Sequence, residues 1–190
     1  MTRTTYLRDA RVVRWGPAEF VARVREAMSI YAEAMGYPST VVDDRAGYAT
    51  AHAGRRGFRA VAALGPDDVL LGFGYGYSSE PGQWWHDQVA KAVDLGVAEQ
   101  WLCGGLELCE LHVRPARQGA GLGRLVLTTL LEDAPHPAVL LSTPEGDTRA
   151  WRLYRSLGFL DLARNHLFPG DSRPFAVLGA RLPLEPRDDA

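Results

Sequence analysis

The run Leu108-Cys-Glu-Leu-His-Val113 reads as a strand, and it leads into Arg114-Pro-Ala-Arg-Gln-Gly-Ala-Gly-Leu-Gly123. An apolar helical run, Gly121 to Asp133, follows directly. Glycines let a backbone turn tightly and approach a ligand closely. A helix N-terminus offers unpaired N–H groups and partial positive charge. Together they form a cradle for a pyrophosphate. Arg114, Arg117 and Arg124 cluster on the same loop and are expected to hold further phosphates. The loop lacks the Gly-Lys-Ser/Thr ending of a nucleotide-triphosphate loop. It also has Arg124 where the dinucleotide fingerprint needs its last glycine.

Gln118-Gly-Ala-Gly121-Leu-Gly123 resembles the Q/R-x-x-G-x-G/A loop of the GNAT acetyltransferases, and Val113-Arg-Pro115 resembles the V-x-P that enters it. Downstream, Asp147-Thr-Arg-Ala150-Trp-Arg-Leu153-Tyr154-Arg-Ser-Leu157-Gly158-Phe159 resembles that family's N-x-x-A-x-x-L-Y-x-x-x-G-F. The likeness is clear over roughly residues 105 to 160 and weaker at both ends. Asp147 departs from the family's Asn, although its short side chain remains able to cap a helix.

The resemblance implies an acetyl-CoA-dependent N-acetyltransferase. It places the pyrophosphate on Gln118, Gly119, Ala120, Gly121, Gly123 and Arg124, with Asp147 as a further cofactor contact. The pantetheine arm would add like a strand to the backbone of Leu111, His112 and Val113, and the strand would splay from its neighbour, commonly through a bulge. Transfer needs a deprotonated amine, a donor for the oxyanion and a proton for the departing thiolate. In the family a tyrosine at the position of Tyr154 supplies that proton. No metal and no covalent intermediate are implied. For the base, Glu110 is the first candidate, Glu107 the second and a water chain the third. Strand alternation puts Glu110 and His112 on one face and Glu107, Cys109, Leu111 and Val113 on the other. A carboxylate on a covered strand needs a partner or a wet cleft, and burial suits it to proton transfer. His112 by itself reads as a satisfied histidine of core or cleft.

The rest of the chain must position these groups. The spacing predicts a strand within residues 4 to 14, a helix from Ala18 to Met35 and a second from a capping-box-like Thr40-Val-Val-Asp43. A hairpin over Phe58 to Ser78 and a helix over Gln83 to Gln100 come next. The latter carries Trp85, Val89, Val93 and Val97 as one stripe. Strands are then expected at 105–113, 138–142, 159–163 and 175–182, with helices at 121–133 and 147–157. That order gives an α/β fold: one domain, 1–190, with a mixed, mostly antiparallel sheet of about 6–7 strands and helices on both faces. The resemblance makes it the GNAT fold, splayed at the motif strand.

Residues 79–101 look like an insertion over the acceptor end of the cleft. Trp84 and Trp85 there, with Glu107, are candidate acceptor contacts, and core packing is the alternative for Trp85. The expected acceptor is a primary amine of a small molecule. Protein or peptide amines, and a CoA-binding sensor without turnover, are the alternatives. The chain has 190 residues, 21 basic and 23 acidic, for a net charge of -2. That balance gives no drive toward nucleic acid or an anionic membrane, and no apolar run approaches a membrane span. Two cysteines, Cys103 and Cys109, make neither a disulfide framework nor a zinc site. Lys91 is the one lysine; so arginine-rich a chain, with this much Ala and Gly, implies a GC-rich bacterial gene. A cytoplasmic monomer or homodimer is expected.

Overall fold

The computed structural model describes residues 5–7 and 9–184. In chain order the elements are β1 (Thr5–Leu7), β2 (Ala10–Trp15), α1 (Pro17–Ala22), α2 (Val24–Met35), α3 (Val42–Ala53), β3 (Arg59–Leu64), β4 (Leu70–Ser78), α4 (Trp84–Ala92), α5 (Leu95–Trp101), β5 (Leu106–Val113), α6 (Leu122–Leu131), β6 (Ala138–Pro144), α7 (Arg149–Ser156), β7 (Leu160–His166) and β8 (Phe175–Arg181). The sheet is mixed and mostly antiparallel, as expected. The three-residue β1 adds an eighth strand. Two compact units are formed: Met1–Tyr77 with Cys109–Glu132, and Ser78–Leu108 with Asp133–Ala190.

In the first unit β1 to β4 pair antiparallel in chain order, with Thr5 opposite Val12, Val12 opposite Ala63 and Val61 opposite Gly74. The one strand expected within residues 4 to 14 is thus two, β1 and β2, paired antiparallel. The second half of β5 joins through Arg114 N–H to the Leu71 carbonyl, 2.9 Å. Alternation along β4 sorts its side chains by size. Phe73, Tyr75 and Tyr77 enter a core with Phe20, Met28 and Ile30 from α1 and α2. On the other face Gly74 lets α6 and β5 close in: a Cβ there would stand 3.2 Å from Val126 Cγ1 and from Leu111 Cδ1.

The helix expected over 18–35 breaks at Arg23, which leaves helical geometry at φ −119°, ψ 15°. Its guanidinium binds Glu26 and the Asp68 carbonyl instead. The capping-box start at Thr40 is replaced by a 3-10 turn over Ser39–Val41, and α3 begins at Val42 with no side-chain cap.

The C-terminus of α6 leaves carbonyls without intrahelical partners. Arg59 covers two of them, Nε to Leu130 O at 2.8 Å and Nη2 to Glu132 O at 2.6 Å. Arg14 reaches Glu132 O at 3.3 Å and Glu132 Oε2 at 2.9 Å. Cations suit this end of the helix dipole. Arg59→Ala is therefore expected to cost about 1–2 kcal/mol. Thermal unfolding should show Tm lower by roughly 2–6 °C, and an unchanged Tm would show that α6 needs no such cap.

In the second unit β5 begins the sheet, paired in parallel with β6 at Leu106↔Val139 and Glu107↔Leu140. β8 pairs antiparallel with β6 and with β7. The single helix expected over 83–100 is two. Val93 turns extended (φ −117°, ψ 158°), and Asp94, a favoured helix-starting residue, begins α5. The expected stripe still works: Trp85 and Val89 are buried, and Val93 and Val97 pack on the same cluster with Trp101, Leu140 and Val177.

Candidate functional site

The glycine loop lies in the first unit. Gln118 is half-buried and folds its amide back onto the Val113 carbonyl, 2.9 Å, which ties the loop to the end of β5. Gly119 and Gly121 have φ of +80° and +85°, a region other residues enter at a cost. Gly121 is the N-cap of α6, and no side chain caps that helix. Nothing lies within 4 Å of a Cβ built at Gly119, and the only such neighbour at Gly121 is Leu7 Cδ2, 3.7 Å away. Gly123 and Arg124 follow in the first turn of α6, and Ala120 is half-buried between the two left-handed glycines. Open backbone before an uncapped helix start fits a pyrophosphate.

Two arginines expected at phosphates are engaged elsewhere. Arg114 binds the Leu70 carbonyl at 2.7 Å and Glu33 at 3.0 Å, and Arg117 pairs with Asp9. Their positive charge is balanced within the protein.

The second half of β5 carries the titratable groups. Leu111 faces Gly74 and Val126. His112 faces the opposite way, with its ring edge-on to Tyr31 at 5.1 Å and 5.8 Å from Phe73. Its Nε2 lies 2.6 Å from Glu110 Oε2, and the two side chains are 13% and 16% exposed. Cys109 joins this face, against the alternation expected from sequence. Its Sγ is 3.6 Å from His52 Nδ1 and 3.9 Å from the Tyr77 hydroxyl. Consecutive residues on one face are the signature of a bulge. Val113 is buried at the end of the strand.

Sequence reasoning missed the companions of this face. The Tyr75 hydroxyl lies 3.1 Å from His52 Nδ1. Burial first, and then the Cys109 thiol, push Tyr75 well above the usual tyrosine value, so the phenol beside His52 is neutral. His52 is lowered to about 4, by burial first and Arg55 second, with Glu110 opposing. A histidine kept neutral in the fold but protonated in the unfolded chain withdraws stability as pH falls. That loss is expected to run from about pH 6.5 down to about 4, the free and folded values. Burial lowers His86 in the second unit too, so it acts in the same direction. Urea unfolding against pH should show the acid-side decline, and His52→Gln should flatten it. An equally steep decline in the variant would remove His52 from the account.

The second unit holds the downstream motif. Tyr154 on α7 is 6% exposed, with its ring 5.4 Å from Phe159. The cap of α7 is Thr148, whose hydroxyl accepts from Trp151 N–H at 3.1 Å. Asp147, expected to cap, lies outside the helix as an exposed ion-pair partner of Arg152. Glu107 is 3% exposed at the start of β5. Trp85 is a core residue that donates its indole N–H to Ser142 Oγ at 3.0 Å, whereas Trp84 is 55% exposed with Phe168 5.6 Å away. Among the described residues no group of three or more His, Cys, Asp or Glu is placed to hold a metal ion. No helix among them is long and apolar enough to cross a membrane.

A mixed sheet with a glycine-cradled helix N-terminus after its fifth strand is the setting for a phosphate-bearing ligand. The comparisons agree. The family model of the acetyltransferase (GNAT) family matches residues 24–159, and the chain belongs to that family. It is 38% identical to a GCN5-like protein acetyltransferase of Mycobacterium tuberculosis, over 88% of this chain and 96% of the relative. YncA from Salmonella typhimurium, solved with its cofactor acetyl-CoA, superposes with a TM-score of 0.62 at 17% identity, covering 96% of this chain and 99% of that one. The spermidine/spermine N-acetyltransferase SpeG from Vibrio cholerae does so with 0.56 at 12%, covering 95% and 92%. The protein is an acetyltransferase with acetyl-CoA as co-substrate.

Proposed function

We propose that the chain moves the acetyl group of acetyl-CoA directly to a primary amine within a ternary complex. The observation that carries this reading is the open, left-handed Gly119–Gly121 turn before the uncapped N-terminus of α6. In it Gln118, Gly119, Ala120, Gly121, Gly123 and Arg124 hold the pyrophosphate. The backbone of Leu111, His112 and Val113 holds the pantetheine arm. Asp147 is retained as a contact of the same ligand. Acetyl-CoA supplies an activated acetyl thioester; the protein's part is to bind it, deprotonate the amine and return a proton to sulfur. Glu110 is the proton acceptor and Tyr154 the proton donor. Both are mostly buried, which strengthens their electrostatics. Glu107 and Trp84 remain on the acceptor side of the proposal, and the setting is the cytoplasm.

Glu110 is 16% exposed, so the acceptor must be a slender alkyl amine that can reach a recessed carboxylate. A lysine side chain of a protein meets that demand and is supported by the name of the relative at 38% identity. The small-molecule amine expected from sequence meets it equally and is the second reading. Purified protein with acetyl-CoA, assayed for free thiol against a polyamine and amino-acid panel and against lysine peptides, decides between them. Transfer within one panel selects that acceptor class. Binding of acetyl-CoA with no transfer in either leaves a CoA-binding sensor.

A further inference from the structure

The side chain of His112 is unused in the proposed chemistry, yet it is one of the most constrained groups on β5. Its Nε2 approaches Glu110 Oε2 to 2.6 Å. A carboxylate only accepts, so Nε2 carries the hydrogen of this bond. The ring that presents it is fixed from two sides, by the edge-on contact with Tyr31 of α2 and by Phe73 of β4. No other hydrogen bond to Glu110 is present among the described residues, so Oε2 is committed to His112 and Oε1 is left for an incoming group. Glu110 and His112, two residues apart on one strand, share a face, and that alternation brings the two side chains together.

We infer that His112 is the positioning residue of the acetyl-transfer base. It clamps Glu110 Oε2 through Nε2–H, keeps the carboxylate in one rotamer, and so aims Oε1 at the acceptor ammonium. The inference rests on the proposed function, in which Glu110 takes the amine's proton. In that step one N–H proton of the ammonium passes to Oε1 and later to water, while His112 keeps its own proton throughout. The surroundings suit the task. Arg45 and His52 face this side from α3, Arg55 from the turn after it, Tyr31 from α2, Tyr75 and Tyr77 from β4, and Cys109 from β5 itself. Arg45 lies over Tyr31 at 5.0 Å and Arg55 over Tyr77 at 4.5 Å. The strongly perturbed members, His52 and Tyr75, are held neutral and do not compete for the proton. An imidazole wedged between two aromatic rings and a short charge-assisted bond fix the base without adding a second one.

The test compares wild type with His112→Ala, His112→Gln, Glu110→Gln and the Ala/Gln double variant. The acceptors are spermidine, free lysine and a lysine peptide. His112→Ala should lower kcat/KM by roughly 10–100-fold and displace the acid limb of its pH profile. The Gln side chain carries an N–H donor at about the reach of Nε2, so His112→Gln should restore most of the rate. The double variant should be no slower than Glu110→Gln alone, because both act on one carboxylate. Calorimetric acetyl-CoA affinity and Tm close to wild type separate positioning from folding. A His112→Ala enzyme with wild-type rate and acid limb, or losses that add in the double variant, overturns the inference and leaves the acetyltransferase reading standing. A wild type that binds acetyl-CoA but acetylates none of the three amines overturns both.

Discussion

Gly121→Glu is expected to abolish acetyl-CoA binding, with Kd raised at least about 100-fold. Two costs combine. Gly121 sits at φ +85°, where an L-residue pays about 1–2 kcal/mol. The new carboxylate also stands at the mouth of the helix N-terminus, where the pyrophosphate charge is to rest. At about 5 Å and an effective dielectric near 20, repulsion between two unit charges is about 3 kcal/mol. Gly121→Ala pays the first cost alone, because a Cβ there meets only Leu7 Cδ2 at 3.7 Å. It should lose roughly tenfold at most. Calorimetric titration of the three proteins with acetyl-CoA gives the order wild type, Ala, Glu. Equal affinity in the Glu variant would mean that the loop is a helix-capping turn and that the pyrophosphate lies elsewhere.

This loop was the most legible part of the chain, because its chemistry is local. A positive φ asks for glycine, a helix start follows at once, and Gln118 folds onto the strand it leaves. The elements were legible where one period ran uninterrupted, as in α6 and β8. They were misread where one residue's backbone ended the period. At Arg23 and at Val93 the backbone leaves helical geometry where apolar spacing alone would continue the helix. The alternation Gly72-Phe-Gly-Tyr-Gly-Tyr77 announces a strand with one bare face and one aromatic face. Nothing in it says that His52, on α3, meets two of those rings. Strict alternation also misplaced Cys109, since a bulge depends on pairing with the neighbouring strand and leaves no mark in a single strand's residues. The ion pairs of Arg114 and Arg117 were hidden for a similar reason. Their partners Glu33 and Asp9 lie far off in sequence, so local charge counting could not see them.

Tyr154→Phe is the second large effect. The substitution removes one oxygen from a residue 6% exposed and keeps the ring on Phe159. The N-cap at Thr148 and the turn in which Phe159 N–H meets the Tyr154 carbonyl, 3.1 Å, involve no hydroxyl of Tyr154. The fold around α7 is therefore expected to survive. The chemistry sets a moderate ceiling on the loss. A free phenol titrates near 10 and a free thiol near 8.5, so a thiolate leaves without full protonation, and the acid helps only as negative charge builds on sulfur. That argues for a fall in kcat of about 10²-fold rather than total inactivity. Because the hydroxyl acts as the C–S bond breaks, KM for acetyl-CoA should change by less than about threefold. Steady-state kinetics of the variant on whichever amine the wild type accepts gives both numbers, and acetyl-CoA titration gives the affinity independently. A variant with unchanged kcat removes Tyr154 from the chemistry and leaves the thiolate to depart unassisted. A variant that loses acetyl-CoA affinity along with kcat makes Tyr154 a binding residue instead.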